Sequence, residues 1–134
     1  KKFLGFKPKI AVTGLNPHCE TFKGKDIEKT EILPAIKILK KNKIKVLGPF
    51  SADTIFLKEN RKKFNIIVGM YHDQVLGPMK TIFGFNAINI TIGLPFVRIT
   101  PDHGPNYKMF GLNKSNPDSL IQAFSFLNKY AIKT

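Results

Sequence analysis

A chain of 134 residues, 43% hydrophobic with 12 Phe, suits one domain whose packed core buries roughly two-thirds of its unfolded surface. No apolar run approaches the roughly 18 residues of a membrane span, the amino terminus shows no secretion-signal pattern, and one cysteine excludes an internal disulfide and fits a reducing cytoplasm. The formal charge of +13 invites a nucleic-acid reading, but only Arg61 and Arg98 among the 22 basic residues are arginines, so a Lys-rich solvated surface that attracts anionic metabolites is the expectation.

Ile10-Ala11-Val12-Thr13 is a short β-rich run that ends at the turn signal Gly14-Leu15-Asn16-Pro17. Over residues 26–42 the apolar Ile27, Ile32, Ala35, Ile36 and Leu39 recur at helical spacing. Pro34 suits a first turn, so the helix is expected to begin near Glu31, and Lys40, Lys41 and Lys43 suit the negative pole at its end. Lys45-Val46-Leu47 reads as a strand closed by Gly48-Pro49. Ser51 reads as the N-cap of a helix over residues 52–60, with Asp53 in its first turn.

Asn65-Ile66-Ile67-Val68-Gly69-Met70 is nearly all apolar, as for a strand buried on both faces. A short helix over residues 74–83 is weakened by Gly77 and Pro78. Residues 87–92 and 96–100 read as strands, and a last helix is expected over residues 117–133, with Leu120, Ile121, Phe124, Leu127 and Ile132 on one side. Alternation of this kind predicts an α/β fold with a largely parallel sheet and flanking helices.

Ligands in such folds gather beyond the carboxyl ends of strands. His18, Asp53 and His72 each follow a predicted strand in three separate strand-to-helix units. His18 reads as a metal ligand or as a loop histidine. His72, beside Asp73, reads as a ligand oriented by a carboxylate or as a hydrogen-bonded structural histidine. Two histidines are one short of a three-ligand catalytic site, and His103 is the remaining candidate. Arg98, in a chain that otherwise uses lysine, suggests a fork-shaped contact to phosphate or carboxylate, against a structural ion pair. Asn89 on an apolar strand must find hydrogen-bond partners in backbone or ligand. Lys80 has no distinction from composition. No GxGxxG or Walker pattern occurs, and Cys19 shows no sign of being a nucleophile.

Taken together, Gly14-Leu15-Asn16-Pro17-His18, Gly48-Pro49-Phe50-Ser51-Ala52-Asp53-Thr54, Tyr71-His72-Asp73-Gln74, and the run from Asn89 through Gly93-Leu94-Pro95 and Arg98 to Asp102-His103-Gly104 resemble the 4-hydroxythreonine-4-phosphate dehydrogenase family of pyridoxal phosphate biosynthesis. The resemblance covers nearly the whole chain but only the carboxy-terminal part of that family. It implies an isocitrate/isopropylmalate dehydrogenase-like fold within a two-domain enzyme, with an internal boundary near residues 81–87. Residues 1–83 would form a metal and dimer-interface part, and residues 84–134 a substrate and NAD-loop part.

By position the resemblance makes His18 and His72 two of three histidines that bind a divalent metal (zinc, magnesium, cobalt or manganese). It makes Lys80, Asn89 and Arg98 substrate-binding. Asp53 and Asp73 stand where acids serve as further ligands or in proton handling. The third metal histidine and a His-Thr pair that contacts substrate belong to the family's amino-terminal portion. His103, Gly104 and Asn116 resemble the cofactor loop of isopropylmalate and isocitrate dehydrogenases and would lie near the adenosine end of NAD or NADP.

The implied activity is oxidation and decarboxylation of a phosphorylated small molecule, 4-phosphooxy-threonine, by a cytoplasmic homodimer with a shared site and no nucleic-acid or membrane partner. The 134-residue piece alone is expected to be inactive. A threonate or erythronate 4-phosphate is the alternative substrate, and a basic nucleic-acid-binding module is the alternative of a different class. The stretch Cys19-Glu20-Thr21-Phe22-Lys23-Gly24-Lys25 departs from the glycine-rich, acidic continuation usual after His18, and Pro105-Asn106-Tyr107 departs after His103.

Overall fold

The computed structural model describes residues 5–19 and 26–130. The chain divides into two compact units, Lys1–Pro78 and Met79–Thr134.

The first unit is a three-stranded parallel sheet in the order β2-β1-β3, with β1 at Ile10–Thr13, β2 at Val46–Phe50 and β3 at Ile66–Val68. Ile10 pairs with Val46 on one side and with Ile66 on the other. β1 is therefore the central strand, and it is buried on both faces. Val12 packs with Ile32, Ile36 and Val46 on one face; Ala11 packs with Ile55 and Phe56, flanked by Phe64 and Val75, on the other. The expectation that the run after Asn65 would be the doubly buried strand is corrected. β3 pairs with β1 alone among the described residues, and Val68 is 40% exposed.

The first helix begins earlier than the position of Pro34 suggests. Asp26 accepts the Lys29 N–H at 3.1 Å, as an N-cap side chain does. A π-helical turn, Glu28–Ile32, then leads into α1, Leu33–Lys41. The Leu33 N–H bonds Glu28 O, five residues back. Such a turn widens the helix where Pro34 supplies no N–H and its ring crowds the preceding turn.

The structure also revises the next two segments. β2 continues through Gly48 and Pro49 to Phe50, with a register shift opposite β1. Gly48, at φ +139°, lies against the Val12 carbonyl, where a Cβ would collide with backbone. Residues 52–57 form turns rather than the predicted helix, and α2 spans only Lys58–Arg61. Ser51 does not cap it, because the Ser51 hydroxyl donates to His18 O at 3.1 Å.

α3, His72–Phe83, starts two residues before the predicted helix and runs on through Gly77 and Pro78. The second unit holds an antiparallel pair, β4 (Ile88–Thr91) with β5 (Arg98–Pro101), and the helix α4, Asp118–Tyr130. The end of the predicted last helix, from residue 131 onward, lies outside the described residues. α4 buries its small residues Ser119 and Ala123, whereas Leu120, Ile121 and Phe124 are exposed.

Candidate active site

Parallel pairing gives β1, β2 and β3 a common carboxyl edge, and the loops that leave it carry His18, Asp53 and His72. Each loop is tied down. Glu28, only 8% exposed, accepts the Asn16 N–H at 2.7 Å, and the Asn16 side chain accepts the His18 N–H at 3.0 Å. The Ala52 N–H reaches Pro17 O at 2.9 Å, so the loop after β2 is bonded to the loop after β1.

These ties bring Asp53 to His18, with Oδ2 3.4 Å from Nδ1. His72 Nδ1 lies 2.6 Å from Asp73 Oδ1, a charge-assisted distance. All four side chains are exposed to solvent. In both rings the carboxylate meets Nδ1, which leaves Nε2 outside that contact. This is the arrangement in which an outer carboxylate fixes the tautomer of a metal-bound histidine. Each pair thus has the chemistry of a metal-ligating imidazole with its supporting carboxylate. Among the described residues no group of three or more His, Cys, Asp or Glu could hold a metal ion by itself.

Cys19 is a free thiol next to this loop. Burial pushes its pKa up, a hydrogen bond at Gly14 opposes this, and the Glu28 and Asp53 carboxylates add to the rise. Together these disfavour the thiolate form. Residues 20–25, the departing stretch that follows, lie outside the described residues.

In the second unit the ladder sets Asn89 opposite Thr100 and Thr91 opposite Arg98. With a side-chain period of two, Asn89, Thr91, Arg98 and Thr100 share one face of the pair. Asn89 and Arg98 are exposed there. The Arg98 guanidinium donates to Thr91 Oγ1 at 2.9 Å, which steadies the fork and leaves it further N–H groups for an anion. Lys80 Nζ pairs with Asp102 Oδ2 at 3.3 Å and also bonds the Asp102 carbonyl, placing the ammonium just past the end of β5. Lys80 thus stands near the Asn89–Thr100 end of the ladder, with Arg98 at the other end.

The three cofactor-loop candidates are held locally. His103 Nδ1 lies 3.3 Å from Gly104 O. The Asn116 side chain accepts the Asp118 N–H at 2.7 Å, capping α4 with Pro117 at its first turn.

Sequence reasoning gave no role to the polar groups behind these side chains, although Gln74 and Asp102 stand within the quoted motifs. They are the buried Glu28, Thr13, Gln74 and Ser119 and the half-buried Asp102, each a common polar residue whose value lies in its partners. The one available signal was polarity at the end of an apolar stretch, as at Thr13 after Ile10-Ala11-Val12.

The family model described as "Pyridoxal phosphate biosynthetic protein PdxA" matches residues 1–127. A 4-hydroxythreonine-4-phosphate dehydrogenase of Bradyrhizobium diazoefficiens is 44% identical over 130 residues, spanning 93% of this chain and 36% of the relative. One from Sulfurihydrogenibium sp. is 47% identical over 125 residues, spanning 92% and 38%. The crystal structure of 4-hydroxythreonine-4-phosphate dehydrogenase from Klebsiella pneumoniae superposes with a TM-score of 0.72 at 34% identity, covering 94% of this chain and 38% of that one. The chain thus spans little more than a third of the length of these relatives.

Proposed function

The chain belongs to the PdxA family of pyridoxal phosphate biosynthetic proteins, and on that premise we propose that it supplies the carboxy-terminal part of an NAD-dependent dehydrogenase acting on 4-phosphooxy-threonine. The reaction transfers a hydride from the substrate's carbinol carbon to NAD as the hydroxyl loses its proton. The carboxylate then leaves as carbon dioxide, and the resulting enolate takes up a proton to give 3-amino-2-oxopropyl phosphate.

His18 and His72 are the metal-binding pair, with Asp53 and Asp73 holding their rings for coordination through Nε2. A divalent cation (zinc, magnesium, cobalt or manganese) bound there supplies Lewis-acid polarisation of the substrate oxygens. Arg98, Asn89 and Lys80 bind the anionic substrate and orient the reacting carbon, the kind of positioning that carries much of catalysis in such reactions. His103, Gly104 and Asn116 border the adenosine of NAD or NADP. The whole enzyme is a cytoplasmic homodimer with a shared site. The observation that carries the reading is the pairing of each candidate ligand with a carboxylate through Nδ1, in a chain of this family.

On this reading the third histidine ligand is supplied by the family's amino-terminal portion, and the 134 residues alone are expected to be inactive. Fused behind the amino-terminal portion of the Sulfurihydrogenibium relative, it should reduce NAD with 4-phosphooxy-threonine and a divalent metal. His18→Ala and His72→Ala should each abolish that turnover. Turnover of erythronate 4-phosphate alone would instead favour the sugar-acid reading. A folded fusion inert toward both substrates would remove the proposal.

A further inference from the structure

The two candidate ligands lie 54 positions apart in sequence, on loops that leave different strands, and one buried side chain joins their supports. Gln74 is 6% exposed and sits in the first turn of α3, two residues after His72. Its Nε2 donates to Gly14 O at 2.7 Å, at the root of the loop that carries His18. Its Oε1 accepts the Met70 N–H at 2.7 Å, between β3 and His72. The same oxygen lies 2.6 Å from the hydroxyl of Thr13, the fully buried last residue of β1, and that hydroxyl also lies 3.2 Å from Val68 O at the end of β3.

One amide therefore links the carboxyl ends of β1 and β3 to the start of α3. No buried side-chain polar atom among the described residues lacks a partner. The donor and acceptor assignments are also consistent, since Nε2 faces a carbonyl and Oε1 faces an N–H. A buried network satisfied in this way is rigid, because moving any member strands a desolvated polar group. An apolar residue at position 74 could fill the volume but could not couple Gly14 to Met70.

We infer that Gln74, with Thr13 as its partner, is a positioning residue that sets His18 and His72 relative to each other for one shared cation. The inference rests on the proposed role of those histidines, but its test does not depend on that role alone.

The experiment uses the 134-residue chain, Gln74→Met and the milder Thr13→Val, which keeps the branched shape and leaves Gln74 two of its bonds. Imidazole and backbone amide NMR spectra are recorded without metal and during Mn2+ titration. In the parent chain both imidazole signals should broaden with one common midpoint. In Gln74→Met that midpoint should weaken by about ten-fold, the lower end of what loss of an outer-shell partner does, or split into two. Thr13→Val should shift it in the same direction by less. Without metal, the amides of residues 14–18 should shift in Gln74→Met although the substitution lies in α3.

If the parent chain shows no common midpoint, the metal reading fails. The metal-free spectra still decide the positioning claim, since unmoved amides at residues 14–18 overturn it. An unchanged common midpoint in Gln74→Met overturns it equally. If Gln74→Met does not fold, Thr13→Val carries the same pair of readouts.

Discussion

An imidazole offers a cation one nitrogen or the other, and the choice is made by whatever holds the ring from behind. At His72 that group is Asp73, in hydrogen-bond contact at 2.6 Å; at His18 it is Asp53, at a looser 3.4 Å. Asp73→Ala should therefore weaken Mn2+ binding to the chain about ten-fold, and Asp53→Ala by less. Isothermal titration of both variants measures this, and a larger loss at Asp53 would show the ranking by distance to be wrong. The residue pattern made much of this arrangement legible. Three potential ligands each followed a strand, and parallel strands deliver such loops to one edge. The identity of the groups behind them was not legible. Glu28 and Gln74 act through backbone atoms at Asn16, Gly14 and Met70, and any short sequence can present an N–H or a carbonyl. The partner, rather than the residue type, gives these side chains their role.

Elements were readable where local preference and burial agree, and misread where a side chain was claimed by a distant partner. β1 and β4 follow directly from β-branched runs. Ser51 has the composition of a helix cap, yet its hydroxyl goes to His18 O across 33 positions, and the following residues turn instead of winding. In the same way, α4 is anchored by a serine that an apolar-face argument passes over. Ser119, 1% exposed, donates to Ala87 O at 2.5 Å and accepts the Asp102 N–H at 2.9 Å, so one hydroxyl ties α4 to the chain entering β4 and to the residue following β5. Ser119→Ala removes both bonds and leaves a buried carbonyl and N–H unpaired. It should destabilise the second unit by about 1–3 kcal/mol. Urea unfolding followed by the NMR amide signals of β5 and α4 reports this. Because Asp102 also holds Lys80, the Lys80 ammonium signal should lose its ordered environment in the same variant. A variant as stable as the parent would mean that water replaces the hydroxyl without loss.

Over the whole molecule the dominant physical property is a formal charge of +13, and the question is what that charge recognises. Nucleic-acid grooves are read by clustered planar guanidinium groups, whereas this chain has one arginine in α2 and one in β5. Arg98 already spends one donor on Thr91, and Lys80 is paired with Asp102. The remaining lysines are scattered and exposed over most of the described surface, as at Lys37, Lys58 and Lys108. Such a field raises the local concentration of any anion, including a phosphorylated four-carbon acid, without specifying a polymer. A mixed-sequence DNA duplex should therefore bind only through counterion release, at about micromolar affinity or weaker near physiological salt, with the same constant for unrelated sequences. Fluorescence anisotropy across a salt series tests this. Nanomolar binding that discriminates between duplexes would mean that the surface reads bases, and the chain would then need a second function alongside its dehydrogenase ancestry.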